Sequence, residues 1–241
     1  MGEAAAAREL RTVKKSLMPM ARAGDVESQT LLGAIELEAE RNPKAARGWF
    51  ELAAAQGGVA AKRSLGHLFA NGLGVRRDLD RAAGLFREAA DGGDAFAMYN
   101  LAVLNVGSDG VYATFDETLR LLRGAVGGGV AQAWAKLGDM LARVDRDDEA
   151  VECYLRAAEH RDVGAMFALG CWARDGIAGP PDNVQAVRWF LRMVDAGDRD
   201  GMQHAMELAR SMTRDEVREA ALLAGRHDLG EAILMSVSAR R

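Results

Sequence analysis

The sequence predicts an all-α chain of antiparallel helix pairs, stacked repeat upon repeat. Two recurrences that keep one register predict it. The first is the pattern Ala-x-x-(Trp/Leu)-Phe-x-x-Ala, carried by Ala46, Trp49, Phe50 and Ala53 and again by Ala82, Leu85, Phe86 and Ala89. Weaker copies stand at Thr118, Leu121, Leu122 and Ala125, at Ala150, Cys153, Tyr154 and Ala157, and at Ala186, Trp189, Phe190 and Met193. Their leading positions lie 36, 36, 32 and 36 residues apart. The second is a Leu-Gly pair at Leu32-Gly33, Leu65-Gly66, Leu137-Gly138 and Leu169-Gly170, with Leu101-Ala102 in step between them. Self-similarity at such a period marks a repeat architecture.

The elements follow in order. Residues 1–23 read as one capping helix with Val13, Leu17, Met20 and Ala21 at core positions and Pro19 in its last turn, where it should kink or shorten the helix. Repeats then start at 24, 57, 93, 129, 161 and 197 and extend to 212. Glycine opens all of these but the one at Arg161, and the repeat from Gly197 is degenerate. In each repeat the first helix places Ala, Leu and Gly on one face, as in Ala61, Leu65 and Gly66. A glycine inside a helix costs about 1 kcal/mol against alanine, so its recurrence predicts a partner backbone too near for a side chain. The second helix carries the aromatic position and its alanines as core ridges. The connection between them is trimmed in the repeats of 33 and 32 residues, around Pro43 and Asp147. Residues 213–241 supply capping helices and a tail. Thr213 to Glu216 form a capping-box pattern, Gly225 is a stop, a short helix runs from about Asp228 to Val237, and Arg240 and Arg241 end the tail.

Composition narrows the function. The chain of 241 residues has net charge −4 and a pI of about 5.7, which argues against a general nucleic-acid binder. The first residues lack an apolar segment behind a basic one, and no apolar run reaches membrane-spanning length, so a cytoplasmic protein is expected. Gly2 suits N-myristoylation, but Ala6 stands where Ser or Thr is needed. Cys153 and Cys171 do not make a disulfide framework, and Cys153 fits as a small core residue. His67, His160, His204 and His227 show no zinc spacing, so no metal and no cofactor is expected. The acidic run Asp145 to Glu149 lies at a helix start, where carboxylates suit the dipole. Gly72-Leu73-Gly74-Val75 has the look of a phosphate loop, yet it follows a helix, lacks the lysine and recurs at Ser108 to Val111 and Gly176 to Gly179. Its glycines serve the turn.

Taken together, A-x-x-x-L-G in the first helix, G-x-G-V-x-x-D in the connection and A-x-x-W-F-x-x-A-A in the second resemble the Sel-one-like repeat (SLR) family, a cousin of the tetratricopeptide repeats. The resemblance runs from residue 24 to about residue 210 and is best from Gly57 to Gly92; the repeat from Gly93 departs at Ala102, Thr118 and Leu122. It implies a right-handed superhelical solenoid and a role as adaptor or scaffold in protein complexes, without catalysis.

In such an array the first helices line a concave groove. The repeat register then names the candidate partner-binding residues: Arg63 and His67; Phe96, Tyr99, Asn100 and Val103; Gln132, Lys136 and Asp139; Phe167 and Cys171, with Arg174 farther along. Aromatic Phe96, Tyr99 and Phe167 stand where a plain solvated wall carries charge. Beside Arg63, Lys136 and Arg174 they suit an extended peptide or protein segment. Phe96 and Phe167 fit equally as core residues rolled between paired helices, and Tyr99 is expected to be more exposed than either. The related carboxylate-clamp modules place Lys and Asn where this chain has Thr30, Arg63, Ala135 and Phe167. Only Asn100 is similar, so a chaperone tail is not the expected ligand.

The leading reading is a non-catalytic cytoplasmic adaptor of bacterial type, the source being inferred from Ala-, Gly- and Arg-rich usage. A second reading is a self-assembling structural component, a homo-oligomer joined through Ala232 to Met235. A third is a thiol enzyme using Cys171 and His204, for which no third orienting group is evident.

Overall fold

A computed structural model describes residues 2–238, with side chains over 8–237. Every regular element among them is an α-helix, and the chain divides into two compact bodies, Met1–Val130 and Ala131–Arg241.

The N-terminal body holds α1 (Gly2–Arg22), α2 (Val26–Glu38), α3 (Pro43–Ala55), α4 (Val59–Asn71), α5 (Leu79–Asp91), α6 (Ala95–Val106) and α7 (Phe115–Gly127). Helices α2 and α3, α4 and α5, and α6 and α7 pack as pairs, and α3 on α4 and α5 on α6 join each pair to the next. Local chemistry starts the helices. Asp25 and Asp94 accept the backbone N–H three residues on, each at 2.8 Å, and Asn42, Asp78 and Thr114 do the same for the second helices.

The recurrent glycine has a different cause from the one its spacing suggests. It seats the aromatic ring of the paired helix, and no backbone lies as close. A Cβ on Gly33 would stand 2.4 Å from a ring carbon of Phe50, and one on Gly66 2.8 Å from a ring carbon of Phe86. In the α6/α7 pair alanine is tolerated at Ala102 because the register sets Leu122, with no ring, at the aromatic place; both are fully buried.

The same pair diverges at its connection. Asn105 is buried and fully bonded. Its Nδ2 donates to the Ala113 carbonyl (2.9 Å) and to Thr118 Oγ1 (2.8 Å), while its Oδ1 accepts from the N–H groups of Tyr112 (2.8 Å) and Ala113 (2.7 Å). Thr118, which breaks the alanine pattern, is therefore the partner of Asn105. The loop after α4 takes the other course. Gly72 closes the helix in the left-handed region (φ +68°), and Gly74 (φ +67°) lies so near the Pro43 backbone that a Cβ would stand 2.8 Å from its carbonyl carbon. These glycines shape a turn against the start of α3.

Helix α1 continues through Pro19 to Arg22, so the proline does not end it. Of its expected core positions Ala21 is buried, Leu17 half-buried, and Val13 and Met20 exposed. Polar contacts fasten it in their place: Lys14 Nζ lies 2.7 Å from Glu36 Oε1, and Gln29 Nε2 donates to the Ala21 carbonyl at 2.9 Å.

The C-terminal body holds α8 (Ala133–Ala142), α9 (Asp147–Glu159), α10 (Val163–Asp175), α11 (Asn183–Asp195), α12 (Asp200–Ala209), α13 (Arg214–Ala224) and α14 (His227–Ser238). The pairs α8/α9 and α10/α11 repeat the ring-over-glycine contact, Tyr154 on Gly138 and Phe190 on Gly170. Arg161, at the one repeat start without glycine, adopts φ +63° regardless. Beyond α11 the pairing changes: α12 and α13 both pack on α11, and α14 covers both. The capping box of Thr213 and Glu216 forms, and Gly225 ends α13 at φ +73°. Ile233 and Leu234 are buried, so only Ala232 and Met235 of the Ala-Ile-Leu-Met stretch face outward. Arg240 and Arg241 lie outside the described residues.

Candidate functional site

On the N-terminal body α4 and α6 bring Arg63, His67, Asn100 and Val103 to two adjoining clefts and set Phe96 against Arg63, whereas Tyr99 lines neither cleft. Arg63, His67, Ser64 and Asn100 join Leu37, Arg41 and Leu73 around a cleft of about 590 Å³. His67, Asn100 and Val103 also line a smaller cleft toward the α6–α7 connection. Phe96 is 51% exposed, whereas Tyr99 is only half-buried, which reverses the order expected for the two.

Arg63 is not a free cation. Its Nε lies 3.0 Å from Asp94 Oδ2, and its guanidinium stands 5.3 Å from the centre of the Phe96 ring. Asp94 meanwhile caps α6 through its other oxygen. One arginine thus ties α4 to α6 and holds an exposed phenyl ring in place. The sequence signal for this was present in Gly93-Asp94, a repeat start followed by a capping residue, but Asp94 was not among the candidates. Asn71 Nδ2 lies 3.2 Å from His67 Nδ1 and donates to the His67 carbonyl at 3.0 Å.

On the C-terminal body the candidates do not form one cluster. Gln132 is exposed at the start of α8. Lys136 pairs with Asp139 at 3.2 Å, and Asp139 also accepts from the Tyr154 hydroxyl at 3.1 Å. Burial, then the Asp139 charge, push the Tyr154 hydroxyl well above its usual pKa. Arg174 is bound bidentately by its neighbour Asp175, at 2.7 and 2.8 Å. The cationic groups expected to greet a ligand are each already paired. Phe167 is 39% exposed and still touches the core, its ring centre 6.2 Å from that of Phe190 and 5.1 Å from that of His204. Part of the ring therefore packs as core while the rest stays open to solvent.

That packing bears on the thiol reading. His204 completes a triangle of tilted rings with Phe167 and Phe190, its centre 5.1 and 5.2 Å from theirs. Burial pushes the Cys171 thiol upward, with Arg174 pulling weakly the other way. An activated nucleophile needs the opposite shift. Among the described residues no group of three or more His, Cys, Asp and Glu is placed to hold a metal ion, and no helix is long and apolar enough to cross a membrane.

Residues 26–58, 59–94, 135–162 and 163–198 match the Sel1 repeat model. The unmatched interval holds Ala102, Asn105 and Thr118, the departures described above. No curated protein is a significant match. Among solved structures, a protective antigen of uropathogenic Escherichia coli displaying an SLR fold superposes with TM-score 0.72 at 20% identity over 93% of this chain. This chain spans 56% of that antigen's length. A Sel1 repeat protein from Oxalobacter formigenes superposes with TM-score 0.69 at 21% identity, covering 86% of this chain and 96% of that one. YrrB, a tetratricopeptide-repeat protein with an unusual peptide-binding site, gives 0.50 at 19% identity over 76% of this chain and 96% of its own.

Proposed function

The chain belongs to the Sel1 repeat family, and from that premise we propose that it is a non-catalytic cytoplasmic adaptor whose α4/α6 surface binds a peptide or protein segment. Repeat folds of this class are typical of protein–protein interaction modules. The observation that carries the finer reading is Phe96: a large apolar ring, half exposed, fixed by Arg63 beside a cleft with polar His67 and Asn100. A pre-ordered aromatic next to hydrogen-bonding groups is the composition of an interaction hot spot. YrrB, a similar fold, carries a peptide-binding site, which supports the class of ligand.

Affinity capture from the native host with wild type, Phe96→Ala and His67→Ala tests this. Arg63 is not substituted, because removing it also breaks its pair with Asp94. Loss of one partner in both variants, with unchanged helicity and melting, supports the surface; full recovery in both rejects it. Self-assembly through residues 232–235 draws less support, since Ile233 and Leu234 are already covered within the body.

A further inference from the structure

We propose that the C-terminal body carries a second docking surface, a cleft on the side of α9 and α11, for a peptide segment in which an acidic side chain stands beside an apolar one. The cleft, of about 620 Å³, is walled by Leu155, Trp172, Pro180, Pro181 and Trp189, with Arg188 among them. Leu155 is 40% exposed in its wall, which leaves apolar surface in reach of a ligand.

Arg188 gives the cleft its chemistry. Its Nη1 donates to Gln185 Oε1 at 2.9 Å, but its Nε is buried with no partner. No carboxylate among the described residues pairs with it. Its guanidinium lies 4.9 Å from the centre of the Trp189 ring, and that of Arg192 lies 5.2 Å from the same ring, so two cations share one indole. The contrast with Arg47 is direct: its Nε lacks a hydrogen bond too, but Glu51 stands 3.4 Å away. Burial and the like charge of Arg192 push the Arg188 pKa down, as expected of a cation short of compensation. Asp182 and Glu216 also line the cleft, yet each is committed to a helix start, Asp182 accepting from Gln185 N (2.9 Å) and Glu216 from Thr213 N (2.7 Å).

A carboxylate from outside would give Arg188 the charge-assisted hydrogen bonds the chain does not supply. The partly exposed Trp172 indole, Leu155 and the two prolines would take the apolar side chain, with buried Trp189 beneath them. This surface belongs to the C-terminal body, Phe96 and His67 to the N-terminal one, and it does not depend on the reading given for them.

The test uses the full chain, two blocked peptides, and the indole N–H signals of Trp172 and Trp189 in NMR spectra. The probes are acetyl-Leu-Glu-Phe-Glu-amide and its Gln counterpart, acetyl-Leu-Gln-Phe-Gln-amide. The acidic peptide is expected to shift both indoles saturably and to bind about tenfold more tightly than the neutral one, a gap of about 1.4 kcal/mol. Arg188→Gln should erase that preference and Arg188→Lys retain part of it. Equal binding of the two peptides, no saturable shift at either indole, or self-association of the chain that Arg188→Gln abolishes would each overturn the proposal. Should Arg188→Gln not fold, the two-peptide comparison on wild type still decides.

Discussion

The ring of Phe190 occupies the space that a side chain on Gly170 would need: a Cβ there would stand 2.5 Å from Phe190 Cε1. Replacing an interior helical glycine by alanine ordinarily stabilises by about 1 kcal/mol. Here Gly170→Ala is expected to destabilise by about 1–3 kcal/mol, because the ring cannot retreat from a packed core. Phe190→Leu in the same chain should recover part of the loss, imitating Ala102 and Leu122. A double-mutant cycle by urea unfolding checks this, with an expected coupling of roughly 1–3 kcal/mol.

Asn105→Leu is expected to cost about 3 kcal/mol, since it strands the Tyr112 and Ala113 N–H groups and the Ala113 carbonyl, while the Thr118 hydroxyl keeps its bond to the Thr114 carbonyl. Thr118→Ala should cost only about 1 kcal/mol, because it removes one partner of Asn105 and restores the residue used in most other repeats. Hydrogen exchange should show the Tyr112 and Ala113 amides losing protection first in Asn105→Leu.

Arg161 sits at φ +63°, where a Cβ is unfavourable. Arg161→Gly should be more stable than Arg161→Ala by about 1 kcal/mol in thermal or urea melts, since only glycine relieves the backbone. Comparing the two variants cancels the guanidinium contact with the Asp195 carbonyl that both lose.

Asp228 gives the chain an acid-sensitive contact. Hydrogen bonding to Arg226 lowers its pKa from 3.8 to about 2, and Arg226 also pairs with Asp195 of α11. A carboxylate lowered on folding stabilises above its unfolded pKa and loses that contribution as pH falls through the folded value. The melting temperature of Asp228→Asn should therefore lie below wild type at pH 7, with the gap closing between pH 3.8 and about 2. A gap of constant size across that range would show that the charge is not the cause.

The helix pairs were legible in the sequence because the glycine and aromatic places impose one contact that survives substitution around them. The reason for the glycine was not, since spacing tells which residues share a face but not whether ring or backbone lies opposite. Val13 and Met20 show the limit of periodicity: helix α1 is held by Lys14, Glu36 and Gln29 as well as by Ala21, so apolar positions there need not face inward. Phe96 and Tyr99 exchanged their expected exposure because Arg63, fixed by Asp94, stands against the Phe96 ring on the outside of the helix pair. Arg188 could not be singled out, since that no carboxylate among the described residues pairs with it is visible only in three dimensions.

The proposal that the first-helix surface of α4 and α6 receives a partner is tested most directly by a photo-crosslinking amino acid placed at Phe96, and in a parallel chain at Leu52, which is equally exposed on second helix α3. Irradiation in the native host should yield one discrete adduct from position 96 and none from position 52. Adduct formation at 52 with silence at 96 would place the working face on the other side of the helix pairs and contradict the reading.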